Sequence, residues 1–151
     1  MQKKTKESNL LPLVNVNFLK EKKKFLFVYG NRGGGKSTTI INKLIYDRLI
    51  YPGSVLGVFR KSYQSIKITS IPYFLKELDK WKIDYNYIKS DKMIEFPNKS
   101  RIYFISMFLS NGNRNENIKS LTLDQAEIEE ATELSLEDYE DINWTVRGEK
   151  G

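Results

Sequence analysis

The stretch Phe25-Leu26-Phe27-Val28-Tyr29-Gly30-Asn31-Arg32-Gly33-Gly34-Gly35-Lys36-Ser37-Thr38 decides the reading of this chain. Five bulky apolar residues end at a glycine, which predicts a short buried strand. The next eight fit G-x-x-x-x-G-K-[ST], whose glycines permit positive φ and leave successive backbone N–H groups free to wrap a phosphate chain. Ile40, Ile41, Leu44, Ile45 and Leu49 then follow at helical spacing, so a helix from Ser37 to Ile50 brings its positive end to the same place. A chance match is below about one per cent at this composition. The motif predicts a nucleotide-binding loop of Gly30, Asn31, Arg32, Gly33, Gly34, Gly35, Lys36, Ser37 and Thr38. Lys36 is expected on the β- and γ-phosphates and the Ser37 hydroxyl on Mg²⁺. Arg32 reads either as an arginine that neutralises charge on the transferred phosphoryl group or as a solvent-facing side chain.

Outward from this loop, Pro52-Gly53 stops the helix and Val55–Phe59 reads as a second buried strand. Ser62–Trp81 reads as helical with a break at Pro72, which lacks the donor N–H. Tyr85–Lys89, Met93–Phe96 and Ile102–Ile105 read as strands, the last two joined by the turn Pro97-Asn98-Lys99-Ser100. Ser110–Asn117 is expected to be a loop. Ile128–Ala131 is expected to end a further strand, and Ser135 to cap a helix over Leu136–Trp144. Strand–helix–strand–helix order predicts an α/β fold, a mainly parallel sheet flanked by helices. Residues 1–20 read as a tail or arm and 21–151 as one domain.

The 151 residues contain neither cysteine nor histidine. That removes disulfides, thiol or imidazole catalysis and zinc clusters, and leaves carboxylates, hydroxyls, lysine and arginine to do any chemistry. No apolar run is long enough to span a membrane. The net charge of +6 is unevenly spread: residues 1–119 carry 23 Lys+Arg against 9 Asp+Glu, and the last 32 carry 2 against 10. A basic body suits a polyanionic partner, although surface lysine in a Lys-, Ile- and Asn-rich composition explains it equally well. Arg60-Lys61, at the end of a strand, divides evenly between ligand contact and solvated surface. Hydrolysis in such a site needs one carboxylate for the metal and another to orient water. Glu129-Glu130 is the best-placed pair, with Asp124 as the alternative metal carboxylate.

Taken together these residues resemble the ATPase domain of the large terminase subunit, the DNA-packaging motor of tailed bacteriophages. The resemblance is strongest at Gly30–Thr39. It continues through Val58-Phe59-Arg60-Lys61, Met93–Phe96 with Ile102–Phe104, Ile118-Lys119-Ser120, Glu129–Leu134 and Thr145–Gly148, over roughly residues 20–148. It implies a P-loop NTPase fold, ATP and Mg²⁺ as cofactors, and catalytic roles for Lys36, for Arg32 as the cis arginine and for Glu130. Ser37 and Glu129 become the metal residues in preference to Asp124. It further implies double-stranded DNA, a portal protein and a small terminase subunit as partners, a ring of identical copies, and work in the host cytoplasm at the prohead portal. The family's nuclease domain and the turn that follows its acidic strand have no counterpart here, so the chain reads as truncated on its C-terminal side. A helicase-like ATPase, a nucleotide kinase and an inactive nucleotide-binding remnant are the rival readings. The kinase's arginine-bearing lid is missing from Asp124–Asp141.

Overall fold

The computed structural model describes residues 16–22, 25–29 and 35–148. A short helix α1 (Val16–Leu19) precedes α2 (Lys36–Ile50), and strand β1 (Val55–Arg60) follows. Ser62 then caps a continuous helical run of α3 (Tyr63–Ser65), a π-helical turn (Ile66–Ser70) and α4 (Ile71–Lys80). Pro72 has no N–H to offer Ile68, and the wider π turn directly before α4 absorbs the missing bond. The expected break is therefore a change of helical pitch. Next come β2 (Asn86–Ile88), β3 (Met93–Glu95), β4 (Arg101–Ser106), a 3₁₀ turn (Glu116–Ser120), β5 (Gln125–Ile128), a second 3₁₀ turn (Ala131–Glu133) and α5 (Leu136–Thr145). At the start of α5, Ser135 and Asp138 close a capping box with each other's backbone N–H.

The sheet runs β2-β3-β4-β1-β5. β1 lies parallel to both β4 and β5, while β2, β3 and β4 are antiparallel. The sheet is thus mixed rather than mainly parallel. The links β2–β3 and β3–β4 are tight turns, and only a crossover could have made those pairs parallel. Two further expectations are corrected. Phe25–Tyr29 forms no strand of the sheet, with Phe27 79% and Tyr29 93% exposed. An apolar run reports what would bury well but not which backbone will ladder with it; just before β5, Leu123 instead makes an isolated parallel bridge with Val146. The last strand, Gln125–Ile128, stops at Ile128 rather than running on to the expected Ala131: Glu130 takes left-handed backbone angles (φ 53°, ψ 57°) and turns the chain away.

Each face of the sheet buries its own core. Ile41, Leu44 and Ile45 of α2 and Phe74 and Leu78 of α4 pack on Leu56, Val58, Ile94, Ile102 and Phe104. Phe74 meets Phe104 edge to face at 5.5 Å. On the other face Phe59, Ile105, Met107, Ile118 and Leu123 surround Ile142 of α5. Each such side chain contributes on the order of 1.5–3 kcal/mol by leaving water. Gly57 of β1 is required here, because a Cβ at that position would lie 2.6 Å from Leu123 Cδ1.

Part of the uneven charge is used internally. Arg114 reaches Glu137 at 3.2 Å, Asp138 at 2.9 Å and Asp141 at 2.6 Å, tying the 110–117 loop to acidic α5. Leu19, within the expected arm, is buried against α2, and its carbonyl accepts from Lys43 Nζ at 3.2 Å.

Candidate functional site

The direction of α2 sets the site. Its C-terminal end is fixed beside the start of β4, where Ser100 Oγ and Asn98 Nδ2 donate to the Arg48 carbonyl at 2.8 and 2.7 Å. Arg48 also touches Gln125, the first residue of β5. The helix consequently runs antiparallel to β1, β4 and β5, and its first residues stand at the carboxyl ends of those strands. From Arg48 up to Ser37 the helix rises about 16 Å. From Gln125 up to Glu129 the strand rises about 13 Å. These ideal rises put Ser37 and Glu129 towards the same end of the sheet, the end at which open α/β sheets bind ligands.

At the top of α2, Gly35 adopts left-handed angles (φ 72°, ψ 10°), and its carbonyl accepts the first helical bond from Thr39 N at 2.9 Å. Lys36, Ser37 and Thr38 form the opening turn, with Ser37 exposed and Lys36 and Thr38 half-buried. No acidic side chain occupies this first turn, so its positive end is not neutralised from within the helix. Gly30, Asn31, Arg32, Gly33 and Gly34 lie outside the described residues.

The carboxylates come from β5 and the turn after it. Ala126 and Ile128 pack into the α5-side core, which turns Gln125, Glu127 and Glu129 to the α2 side. Glu129 N bonds to the Phe59 carbonyl at 3.1 Å, extending the ladder by one step. Its Oε2 accepts from the Ser70 hydroxyl and stands 3.5 Å from Arg60 Nη1. Arg60 Nη2 reaches Glu133 at 3.3 Å and Nη1 reaches Thr69 Oγ1 at 3.1 Å. Arg60 is thus buried in a carboxylate network, and of the basic pair only Lys61 is exposed. Glu130 is exposed, its direction set by the left-handed backbone.

Asp124 stands at the other end of β5. Its Oδ2 accepts from Val55 N at 2.7 Å at the start of β1, about 16 Å of strand below Glu129. A Cβ at Gly148 would overlap Asp124 Oδ1, so the segment after α5 packs directly on this carboxylate.

Three participants were not legible in the sequence. Ser70 reaches Glu129 from 59 residues away, and its only local signal is a polar residue on the inner side of an apolar helix. Glu127 has a buried Oε2 with no hydrogen-bond partner; burial first, and Glu129 second, push its carboxyl up to about 8. Gln125 bridges Arg48 and Asp47. Among the described residues no three His, Cys, Asp or Glu side chains gather as a metal cage, and no helix is long and apolar enough to cross a membrane.

A mixed sheet with helices on both faces, a glycine-led helix N-terminus and an acidic turn after its last strand define an α/β protein. The model of the family described as phage terminase large subunit matches residues 22–151, and the chain belongs to that family. Among solved structures it is similar to the large terminase of a thermophilic bacteriophage, with a TM-score of 0.69 and 13% sequence identity. That match covers 80% of this chain and 30% of the other, so the likeness is one of fold and the chain spans about a third of the phage protein's length. A comparison with curated proteins finds no match.

Proposed function

We propose that this chain binds ATP with Mg²⁺ at the start of α2 and forms the nucleotide-hydrolysing part of a DNA-packaging motor. What supports this reading is the Arg48–Gln125 contact at the far ends of α2 and β5, from which ideal helix and strand rises carry Lys36-Ser37 and Glu129-Glu130 towards the same end of the sheet. Backbone N–H groups of the glycine loop and the first turn of α2 hold phosphate oxygens. Lys36 adds a point charge to the β/γ oxygens, and Arg32 adds a second cation from within the loop. The donor set fits a hard divalent ion: a Ser37 hydroxyl and a Glu129 carboxylate are oxygen ligands, and Mg²⁺ takes one or two protein ligands plus phosphates rather than a cage. When bound, Mg²⁺ supplies neutralisation of the charge that develops on the transferred phosphoryl group. Ser70 and Arg60 hold one Glu129 oxygen and thereby orient the other. Glu130, on its strained turn, positions the attacking water.

Family membership carries the remaining assignments: double-stranded DNA as the moved polymer, portal and small terminase subunits as neighbours, and a ring of copies at the prohead in the host cytoplasm. The test is thermal unfolding of the chain with ATP, with and without Mg²⁺. A ligand that binds only the folded form raises the melting temperature with concentration, by about 2.7 kcal/mol of stability at a hundredfold excess over Kd. An Mg²⁺-dependent rise is expected. No rise at millimolar ATP contradicts the reading.

A further inference from the structure

The helix α2 and the strand β5 that leads into the acidic pair are joined, at the ends away from that pair, by a two-way amide bridge. Arg48 Nη2 donates to Gln125 Oε1 at 2.6 Å, and Gln125 Nε2 donates to Asp47 Oδ2 at 2.8 Å. Asp47 also accepts from Lys43 Nζ at 3.1 Å, and Lys43 in turn donates to the Leu19 carbonyl. Three ionisable side chains of α2 are buried in this network, with Arg48 wholly so. Burial lowers the Arg48 guanidinium to about 10, against the raising influence of Asp47 and Asp124. Apolar residues of similar volume would cost less desolvation at this place, so the network is a poor source of stability. It is a good source of register. Above it, α2 meets the sheet through Ile41, Leu44 and Ile45, which are apolar and non-directional. The amide bridge is directional: Gln125 must present oxygen to Arg48 and nitrogen to Asp47 at once.

We infer that Gln125 is a positioning residue, which fixes how far the acidic strand stands along the phosphate-loop helix and so sets Ser37 and Glu129 at one level. The lever is geometric. One strand residue is about 3.3 Å, and a slip of even a fraction of that at Gln125 is carried up the rigid strand to Glu129. Misplacement of about 1 Å is enough to cost on the order of a hundredfold where function depends on positioning. The assignment rests on the nucleotide-site reading above, and it concerns residues that touch neither phosphate nor metal.

The experiment uses the full 151-residue chain and a ribose-labelled fluorescent ATP analogue, titrated with Mg²⁺. Gln125→Glu keeps the acceptor for Arg48 but places a second carboxylate against Asp47. It is expected to raise the Mg²⁺ needed for half-maximal binding by about tenfold. Its affinity for the analogue without Mg²⁺, which depends on the phosphate loop, is expected to stay at the wild-type value. The double variant Asp47→Asn with Gln125→Glu reverses the polarity of one bond, so that the side chain at 47 donates and the one at 125 accepts. It is expected to restore the wild-type Mg²⁺ requirement. A merely structural role lowers the folded fraction without moving that requirement, and melting curves of both variants record the folded fraction directly. An unchanged requirement in folded Gln125→Glu, or a double variant no better than the single, overturns the inference. A wild-type chain that binds no analogue overturns the site reading, and the bridge's role with it.

Discussion

The Ser70 hydroxyl donates to the Glu129 carboxylate across 59 residues of sequence, joining the end of a π-helical turn to the end of the acidic strand. Ser70 itself is fully buried, and Arg60 approaches the same carboxylate oxygen from β1. The Ser70→Ala variant removes a hydrogen bond to a charged group and is expected to cost about 1.5–3 kcal/mol of stability. If the bond orients Glu129 for a metal, the same change weakens Mg²⁺ affinity by about tenfold or more. Denaturant unfolding and Mg²⁺ titration of nucleotide binding check the two effects separately.

The acidic residues are expected to divide by role. Glu130→Gln keeps Mg²⁺-dependent ATP binding and loses hydrolysis by at least about a hundredfold, the scale of a lost positioned base. Glu129→Gln instead weakens the Mg²⁺ dependence itself. Asp124→Ala leaves that dependence unchanged and destabilises the fold by about 1–3 kcal/mol, because Val55 N loses its acceptor. Parallel binding and single-turnover measurements distinguish all three. A metal defect in the Asp124 variant contradicts the placement of the acidic motif.

Glu127 makes stability depend on pH. Its folded carboxyl is pushed up to about 8 by burial, from an ordinary value of 4.5. Between those values the folded chain holds a proton that the unfolded chain has released, so stability falls as pH rises from about 4.5 to about 8, then levels. The loss is on the order of a few kcal/mol across that window. Glu127→Gln is neutral throughout and is expected to flatten this slope, matching wild type near pH 4.5 and exceeding it at pH 8. Urea unfolding at about pH 5, 6.5 and 8 reads the difference.

Gly57→Ala is expected to cost about 1–3 kcal/mol, since the new methyl meets both Leu123 Cδ1 and the Phe59 ring and one core must shift. Thermal unfolding measures it, and a change below about 0.5 kcal/mol contradicts tight packing at this crossing.

Local chemistry made the legible parts of this fold legible. Ser135 announced α5 because its side chain satisfies a helix N–H three residues on, and Pro97–Ser100 announced the β3–β4 turn. Helical spacing from Ile40 to Leu49 gave α2 within a residue of its observed start. Phe25–Tyr29 misled because hydrophobicity says nothing about ladder partners, which are non-local. The same limit hid Ser70, Gln125 and Glu127, whose significance lies in contacts made across the fold. Glu129-Glu130 was singled out from the residues and preferred over Asp124 through the resemblance, and the structure adds how the two differ: one bound into the Arg60–Ser70 network, the other exposed on a left-handed turn.

Turnover by this chain alone is expected to be slow, because Phe25–Tyr29, the segment that leads into the glycine motif, stands outside the sheet and lends it no strand to anchor on. Single-turnover assays with equimolar enzyme and ATP measure this rate, and rapid hydrolysis contradicts the expectation.

The central claim is tested most directly by isothermal titration of ATP, with Mg²⁺, into the wild-type chain and the Lys36→Ala variant. The account predicts saturable, Mg²⁺-dependent binding by the wild type and its loss in the variant, with the two chains melting at the same temperature in the absence of ligand. Equal affinity in both chains, or no binding by a folded wild type, would contradict it.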